Sequence, residues 1–348
     1  MDISKLIISE EASLLDAMKA IDQNAKKQLF VVKEEALIAA LSDGDVRRWL
    51  LRGGSLEAKV RDAANYKPIY IKEGERALAR SLMDRKKVEI LPVVDEKDKI
   101  VEVIFQRESF GSCSSTFSER IPVVIMAGGL GTRLYPYTKI LPKPLLPIGE
   151  IPITEHIMNQ FREYGCKDFY MIVNHKKNMI KAYYNEIEKD YKICFIDEDK
   201  PLGTGGGVQL LKGLLHSTFI LTNCDTMIQE DYTKILAEHR AKKNLVTMVC
   251  SLKNFDIPYG IVEIGENGSM GTIREKPHYS FFTNTGTYMV EPEAIDQIKE
   301  NEAIGFPDVI QRIKESGQNV GVYPVNERAW LDMGQFDTME EMREKLGV

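Results

Sequence analysis

Apolar residues follow two rhythms along this chain. Over 1–110, Leu29 to Val32, Leu37 to Leu41, Leu91 to Val94 and Ile100 to Phe105 form short, β-branched-rich blocks, a pattern that predicts strands. Leu14 to Ile21 and Leu78 to Met83 carry apolar residues at helical spacing instead. The blocks recur. Leu29-Phe30-Val31-Val32 followed by Leu37 to Leu41 aligns with Leu91-Pro92-Val93-Val94 followed by Lys99 to Val103, at one constant offset. Each copy reads as a helix, two strands joined by a charged turn, and a second helix, which in the first copy is DVRRWLLRG. A unit this small closes its core poorly, so the two copies are expected to pack against each other.

The second rhythm begins after the serine-rich stretch SFGSCSSTFSE that follows Glu108. Pro122 to Ala127 is a continuous apolar run of the kind that marks a parallel strand buried on both faces. A second such run, from Thr218, ends in Asp225. VQLLKGLL after Gly207 and TMEEMREKLGV at the end of the chain are predicted helices, the last one packed or dimerising. The expected organisation is a repeated pair over 1–110, a linker over 111–120, and an α/β domain with a mostly parallel sheet over 121–348.

Composition narrows the function. The charge is −6, from 46 basic and 52 acidic residues, without the basic surplus or basic block of a general nucleic-acid binder. Anionic ligands must therefore be held by a few placed groups, which favours a small phosphorylated molecule over a polymer. Five widely spaced cysteines with no C-x-x-C pair read as free thiols in a reducing compartment. Acids interrupt the first apolar stretch and no apolar run is long enough to cross a bilayer, so neither a signal peptide nor a membrane span is expected and the reading is cytoplasmic.

The chemistry starts directly after the Pro122 run, with Gly128-Gly129-Leu130-Gly131-Thr132-Arg133-Leu134. Three glycines in four positions let backbone N–H groups approach an anion, and Arg133 adds a fork suited to phosphate oxygens. Lys143 follows between Pro142 and Pro144, which stiffen the loop that presents it. The loop is neither the dinucleotide fingerprint nor a Walker motif.

G-G-L-G-T-R-L-x-P-x-T-x-x-x-P-K-P resembles the sugar-1-phosphate nucleotidyltransferases, and the likeness runs from about Ile121 to the C-terminus. It implies a Rossmann-like fold and a set of roles. Gly128, Gly129, Gly131 and Thr132 would line the triphosphate, with Arg133, Lys143 and Lys276 catalytic. Pro201-Leu202-Gly203-Thr204-Gly205-Gly206-Gly207 would lie against the base, its glycines permitting close approach, with Gly206 standing where the family usually has Ala, a change expected to leave the chemistry undisturbed. Asp225, at the carboxyl edge of the sheet where ligands bind in open α/β folds, and Asp332 of Trp330-Leu331-Asp332-Met333-Gly334 would hold Mg²⁺, which suits a few carboxylates plus ligand phosphates. Gly260, Glu275, Lys276 and Asn284 would form the sugar side. His175 could face the pocket or be structural, and no nucleophilic triad emerges.

The resemblance implies the reaction of a nucleoside triphosphate with a sugar 1-phosphate to give an NDP-sugar and pyrophosphate. The segment 1–110 is similar to a tandem pair of cystathionine-β-synthase (CBS) domains, in which Ser42 and Asp45 would meet an adenine nucleotide. The same two residues also form an ordinary helix N-cap, and in the second copy Arg107 replaces Asp45. A CBS pair ahead of a short transferase is similar to bacterial enzymes making GDP-linked sugars for surface glycans. That implies GTP with glucosamine 1-phosphate and a homo-oligomer. Mannose or heptose 1-phosphate, and UTP, dTTP or CTP, are the alternatives, with an inactive nucleotide-sensing protein as the different class.

Overall fold

The structure, a computed structural model, describes residues 3–24, 28–86, 88, 90–105, 116–334, 339, 342–343 and 346. The chain forms two compact units, Met1–Gly111 and Ser112–Val348. Arg107, most of the expected linker, the second helix of the second copy and most of the final helix lie outside the described residues.

The first unit contains β1 (Ile7–Ser9), α1 (Leu14–Asn24), β2 (Gln28–Lys33), β3 (Ala36–Ser42), α2 (Asp43–Leu51), the single turn α3 (Val60–Ala63), β4 (Ile71–Lys72), α4 (Ala79–Lys86), β5 (Ile90–Val94) and β6 (Ile100–Phe105). Two three-stranded sheets, β1-β2-β3 and β4-β5-β6, have the same topology: the first pair parallel, the second antiparallel. The repeat extends to an irregularity. The β2–β3 register slips between Val31 and Val32, and the β5–β6 register slips at the equivalent step of the second copy, between Val93 and Val94. One buried cluster takes Leu6 and Phe30 from the first copy and Ile90, Val94 and Ile100 from the second. This shared cluster joins the two copies, while a second cluster, Ile71, Ala79, Met83, Leu91 and Val93, belongs to the second copy alone.

The second unit is built on a seven-stranded sheet. Its elements in chain order are β7 (Val123–Met126), the short pair β8 (Pro147–Ile148) and β9 (Ile151–Pro152), α5 (Ile153–Glu163), β10 (Asp168–Val173), α6 (Lys177–Glu186), β11 (Lys192–Asp197) and the one-turn α7 (Gly203–Gly206). There follow β12 (Phe219–Asn223), β13 (Thr226–Ile228), α8 (Tyr232–Ala241), β14 (Val246–Asp256), β15 (Ile261–Ile264), β16 (Met270–Arg274), β17 (His278–Val290), α9 (Phe306–Glu315), β18 (Val320–Val325) and β19 (Trp330–Asp332). The strand order is β11-β10-β7-β12-β17-β14-β18, parallel throughout except for the reversed β17.

Both faces of this sheet are covered, which is why β7 reads as an unbroken apolar run. Val123 and Ile125 face a core with Ile157, Met158 and Phe161 of α5 and Ile180 of α6, whereas Val124 faces Phe306, Val309 and Ile313 of α9. Each of these β7 side chains is fully buried, and such burial contributes about 1.5–3 kcal/mol per side chain. From β7 the chain moves to β10 and β11 on one side and then to β12 on the other. The carboxyl end of β7 is thus the topological switch point, where an open parallel sheet leaves a crevice. VQLLKGLL does not form the expected helix: α7 runs into a 3-10 segment, Gly207–Leu211, because its glycine-rich start is folded tightly against a neighbouring loop. Among the described residues, no helix is long and apolar enough to cross a membrane.

Candidate active site

Four parallel strands deliver their following residues to one edge: Gly128 after β7, Asn174 after β10, Glu198 after β11 and Asp225 after β12. The pairings that hold this edge level include Ala127 N–H to Ile172 O at 2.8 Å and Glu198 N–H to Val173 O at 2.9 Å.

The glycine loop leaves β7 with two positions that need glycine and one that does not. A Cβ on Gly128 would lie 2.6 Å from Glu198 Oε2, and one on Gly131, at φ +65°, would lie 2.9 Å from the Thr138 methyl. Gly129 faces open space. Thr132–Leu134 forms a 3-10 turn in which Leu134 is buried and Arg133 projects into solvent.

Lys143 opens the 3-10 turn Lys143–Leu145 and makes an ion pair with Asp225, both side chains nearly buried. The turn is fixed from below. Thr154 at the start of α5 donates to Pro144 O at 2.6 Å, and the Tyr184 hydroxyl donates in turn to Thr154 Oγ1 at 2.6 Å, since the single Thr hydroxyl proton is already used.

Asp332 reaches the same place from a segment far along the chain. The antiparallel pair β13–β19 sets Thr226 opposite Asp332, and Met333 N–H donates to Asp225 O at 2.9 Å. Burial raises the Asp332 carboxyl above its ordinary value and the Asp225 charge adds to this, while Lys143 and Arg133 pull the other way. Arg133 Nη1 and the Asp332 carboxylate both lie within 3.4 Å of the point a Gly334 Cβ would occupy. Two carboxylates and two cations are therefore gathered from four separate segments.

Two carboxylates gathered at one edge of the sheet suit a divalent cation that completes its shell from phosphates. Among the described residues no group of three or more His, Cys, Asp or Glu side chains could hold a metal by itself. The site offers no nucleophilic thiol either: burial pushes Cys224, beside Asp225, up to about 12.

The glycine-rich loop after Leu202 packs tightly against a distant part of the chain. A Cβ on Gly203 would lie 2.7 Å from Ile304 O, one on Gly205 2.9 Å from Gly305, and one on Gly206 2.1 Å from Glu302 O. These glycines make room for the backbone of 302–305, which also accepts from Gly205 N–H and Gly206 N–H through Ile304 O at 2.9 and 3.1 Å. Alanine at 206 is thus not a neutral exchange in this chain.

The sugar-side residues divide. Asn284 stands near the crevice end of β17, where its amide donates to the Tyr288 hydroxyl at 2.7 Å and accepts from Gly286 N–H at 3.0 Å. Gly286 in turn abuts Asn223 at the end of β12. Glu275 lies against Gly260, with its Oε2 2.8 Å from the position a Cβ would take there. These two, with the exposed Lys276 at φ +42°, sit beyond His278, where β17 begins. Unbroken pairing from Asp256–His278 to Cys250–Asn284 puts about 20 Å of strand between them and Asn284. Gly260, Glu275 and Lys276 thus lie at the far end of the β14–β17 ribbon, next to the β15–β16 pair.

In the first unit Ser42 and Asp45 form a capping box on α2: Asp45 Oδ2 accepts from Ser42 N–H at 2.9 Å and from its hydroxyl at 2.6 Å, while Oδ1 pairs with Arg48. His175 sits after β10, its N–H toward Gly128 O.

Glu198 is the site residue that motif reading passed over. It is 5% exposed, its Oε1 has no hydrogen-bond partner, and burial raises its carboxyl above the ordinary range, partly offset by a backbone N–H from Leu202. Oε1 and Oε2 stand beside Gly207 and Gly128, so the carboxylate lies between the glycine loop at 128–131 and the glycine-rich loop at 203–207. An acid just after a strand was the available signal, as for Asp225, but the preceding KICFID is charged at both ends and half exposed, so it does not read as a buried strand.

The chain is similar to known proteins in sequence and in fold. The chain is 30% identical over 233 residues to the UTP–glucose-1-phosphate uridylyltransferase of Synechocystis, covering 61% of this chain and 60% of that protein. It is 30% identical over 225 residues to the mannose-1-phosphate guanyltransferase of Schizosaccharomyces pombe, again covering 61% and 60%. The chain thus spans about three fifths of the length of these curated relatives. In structure it is similar to HddC from Yersinia pseudotuberculosis, with a TM-score of 0.52 and 24% identity, covering 65% of this chain and 99% of that one, a likeness of fold. The nucleotidyl transferase family model matches residues 122–347, from the strand before the glycine loop through Asp332 and beyond, and the chain belongs to that family.

Proposed function

We propose that the protein is a sugar-1-phosphate nucleotidyltransferase that joins GTP and glucosamine 1-phosphate to give a GDP-sugar and pyrophosphate, in the service of surface glycans of the legionaminic acid type. The observation that carries the reaction class is the convergence of Arg133, Lys143, Asp225 and Asp332 at the carboxyl ends of β7 and β12. In this reading a phosphate oxygen of the sugar 1-phosphate attacks the α-phosphorus. The new P–O bond forms as the bond to the α,β-bridging oxygen breaks, and pyrophosphate leaves with that electron pair. Arg133, Thr132 and the Gly128–Gly131 backbone hold the β- and γ-phosphates. Lys143 offsets charge at the α-phosphate and the leaving oxygen, so catalysis is positioning plus charge stabilisation. Asp225 and Asp332 are the residues that would hold Mg²⁺, which when bound neutralises phosphate charge.

The base preference rests on Glu198. An ionised carboxylate only accepts, and guanine offers two adjacent donors, N1–H and the 2-amino group. Uracil and thymine offer one N–H flanked by carbonyl oxygens, which a carboxylate repels. Asn284, Gly260, Glu275 and Lys276 serve the sugar in this reading, with Lys276 aligning its phosphate. The first unit is a tandem CBS pair in this reading, supported by its repeated topology and repeated register slip. With Ser42 and Asp45 spent on the cap of α2, its role is dimerisation.

The test is pyrophosphate release with Mg²⁺, crossing GTP, dTTP, UTP, CTP and ATP against glucosamine, glucose, mannose and heptose 1-phosphates. A single strong pair with GTP and glucosamine 1-phosphate supports the whole reading. A pyrimidine triphosphate as preferred partner overturns the base assignment, and no release from any pair overturns the reaction.

A further inference from the structure

Lys176 occupies a position just beyond the carboxyl end of β10 from which a lysine could serve as one more phosphate ligand. Its ammonium does something else. Nζ donates to three consecutive carbonyls, Thr138 O at 3.0 Å, Lys139 O at 2.6 Å and Ile140 O at 3.0 Å. An ammonium has three donors, and all three are used. The acceptors end the 3-10 turn Tyr137–Lys139, whose last carbonyls have no partner within the turn. A cation there also meets the negative end of the turn's dipole.

Much of the segment it holds is exposed. Tyr135, Tyr137 and Ile140 are 42, 60 and 75% exposed. The inward-facing side chains include Leu134 and Thr138, each 1% exposed, and Leu141, which packs against the core. Thr138 is the link to the glycine loop: its hydroxyl donates to Gly131 O at 2.8 Å and its methyl packs where a Gly131 Cβ would be. Lys176 itself is firmly placed, in the left-handed conformation at φ +52° between β10 and α6, near Asn174, whose amide donates to Glu198 O at 3.0 Å. Force therefore runs from the rigid sheet through Lys176 to the turn, and through Thr138 to Gly131.

We propose that Lys176 is a positioning residue: it pins the 137–140 turn to the sheet and thereby keeps the Gly128–Gly131 backbone and Arg133 in the conformation that receives the triphosphate. The inference rests on the reading of that loop as the triphosphate site. The test uses the full chain with Lys176→Met and Lys176→Arg, and two measurements. One is limited trypsin cleavage after Arg133 and Lys139, which requires no catalytic activity. The other is steady-state kinetics with each substrate varied.

The expected result for Lys176→Met is faster cleavage at both bonds and an NTP KM raised about 10-fold, with kcat changed less than about threefold. The KM for sugar 1-phosphate should stay unchanged, and Lys176→Arg should recover most of both effects. A raised NTP KM with unchanged cleavage overturns the proposal in favour of a direct phosphate contact. Faster cleavage with an unchanged NTP KM in an active enzyme overturns the link from turn to site. Failure of the underlying reading is seen separately, in wild-type protein that neither turns over nor gains trypsin protection from any NTP with Mg²⁺.

Discussion

Replacing Glu198 by Gln separates recognition of the base from stability of the fold, and the two should move in opposite directions. The side chain keeps its shape, so nothing has to repack. In the native protein burial raises the Glu198 carboxyl. A group whose folded-state value lies above its unfolded value contributes stability that is fully present below the unfolded value and is lost as pH rises through the folded one. At neutral pH the ionised Glu198 therefore weighs against folding, and Glu198→Gln should raise Tm, with the gap closing toward acid pH. Recognition should suffer. The amide turns one acceptor into a donor facing a guanine donor, and a hydrogen bond to a charged group is worth about 1.5–3 kcal/mol. Losing one such bond and gaining a donor–donor contact amounts to about 2–4 kcal/mol, or roughly 30- to 900-fold in kcat/KM for GTP. UTP, whose carbonyls the amide can meet, should lose less or gain. Pyrophosphate release with GTP and UTP at matched glucosamine 1-phosphate, beside a thermal melt, reads both effects. An unchanged GTP-to-UTP ratio would refute the placement of guanine at Glu198, and an unchanged or lowered Tm would refute the desolvation argument.

Lys143→Met removes the partner of Asp225 and the charge assigned to the α-phosphate; turnover should fall about 10²- to 10³-fold in a folded protein, and near-normal turnover would exclude Lys143 from the chemistry. Asp225→Asn should shift the Mg²⁺ titration of activity to higher concentration, and an identical titration would remove Asp225 from the metal site. Gly206→Ala forces a Cβ to 2.1 Å from Glu302 O, so one backbone must move at a cost of about 1–3 kcal/mol, lowering Tm by roughly 3–10 °C in calorimetry, whereas Gly129→Ala meets nothing and should leave Tm unchanged.

The sequence alone settled the features that depend on near neighbours in the chain. Buried parallel strands announce themselves because both faces are covered, so Val123 to Met126 and Phe219 to Asn223 read as apolar runs, and their endings locate Gly128 and Asp225 at the sheet edge. The repeat was legible because two copies that share a core need the same apolar pattern. The motif named Lys143 and Asp332 without placing them. Tertiary structure decided the rest. That Lys143 pairs with Asp225, and that Asp332 lies beside both, follows from the order of strands around β7 and from the β13–β19 pairing, which no local pattern encodes. The glycines at 203, 205 and 206 are explained only by a loop distant in the chain, since close approach of two backbones is a property of the pair. Glu198 did not look like a site residue in the sequence. That it stands at the sheet edge beside Gly128 was fixed by where β11 ends, because a strand carries its neighbours wherever its hydrogen bonds lead.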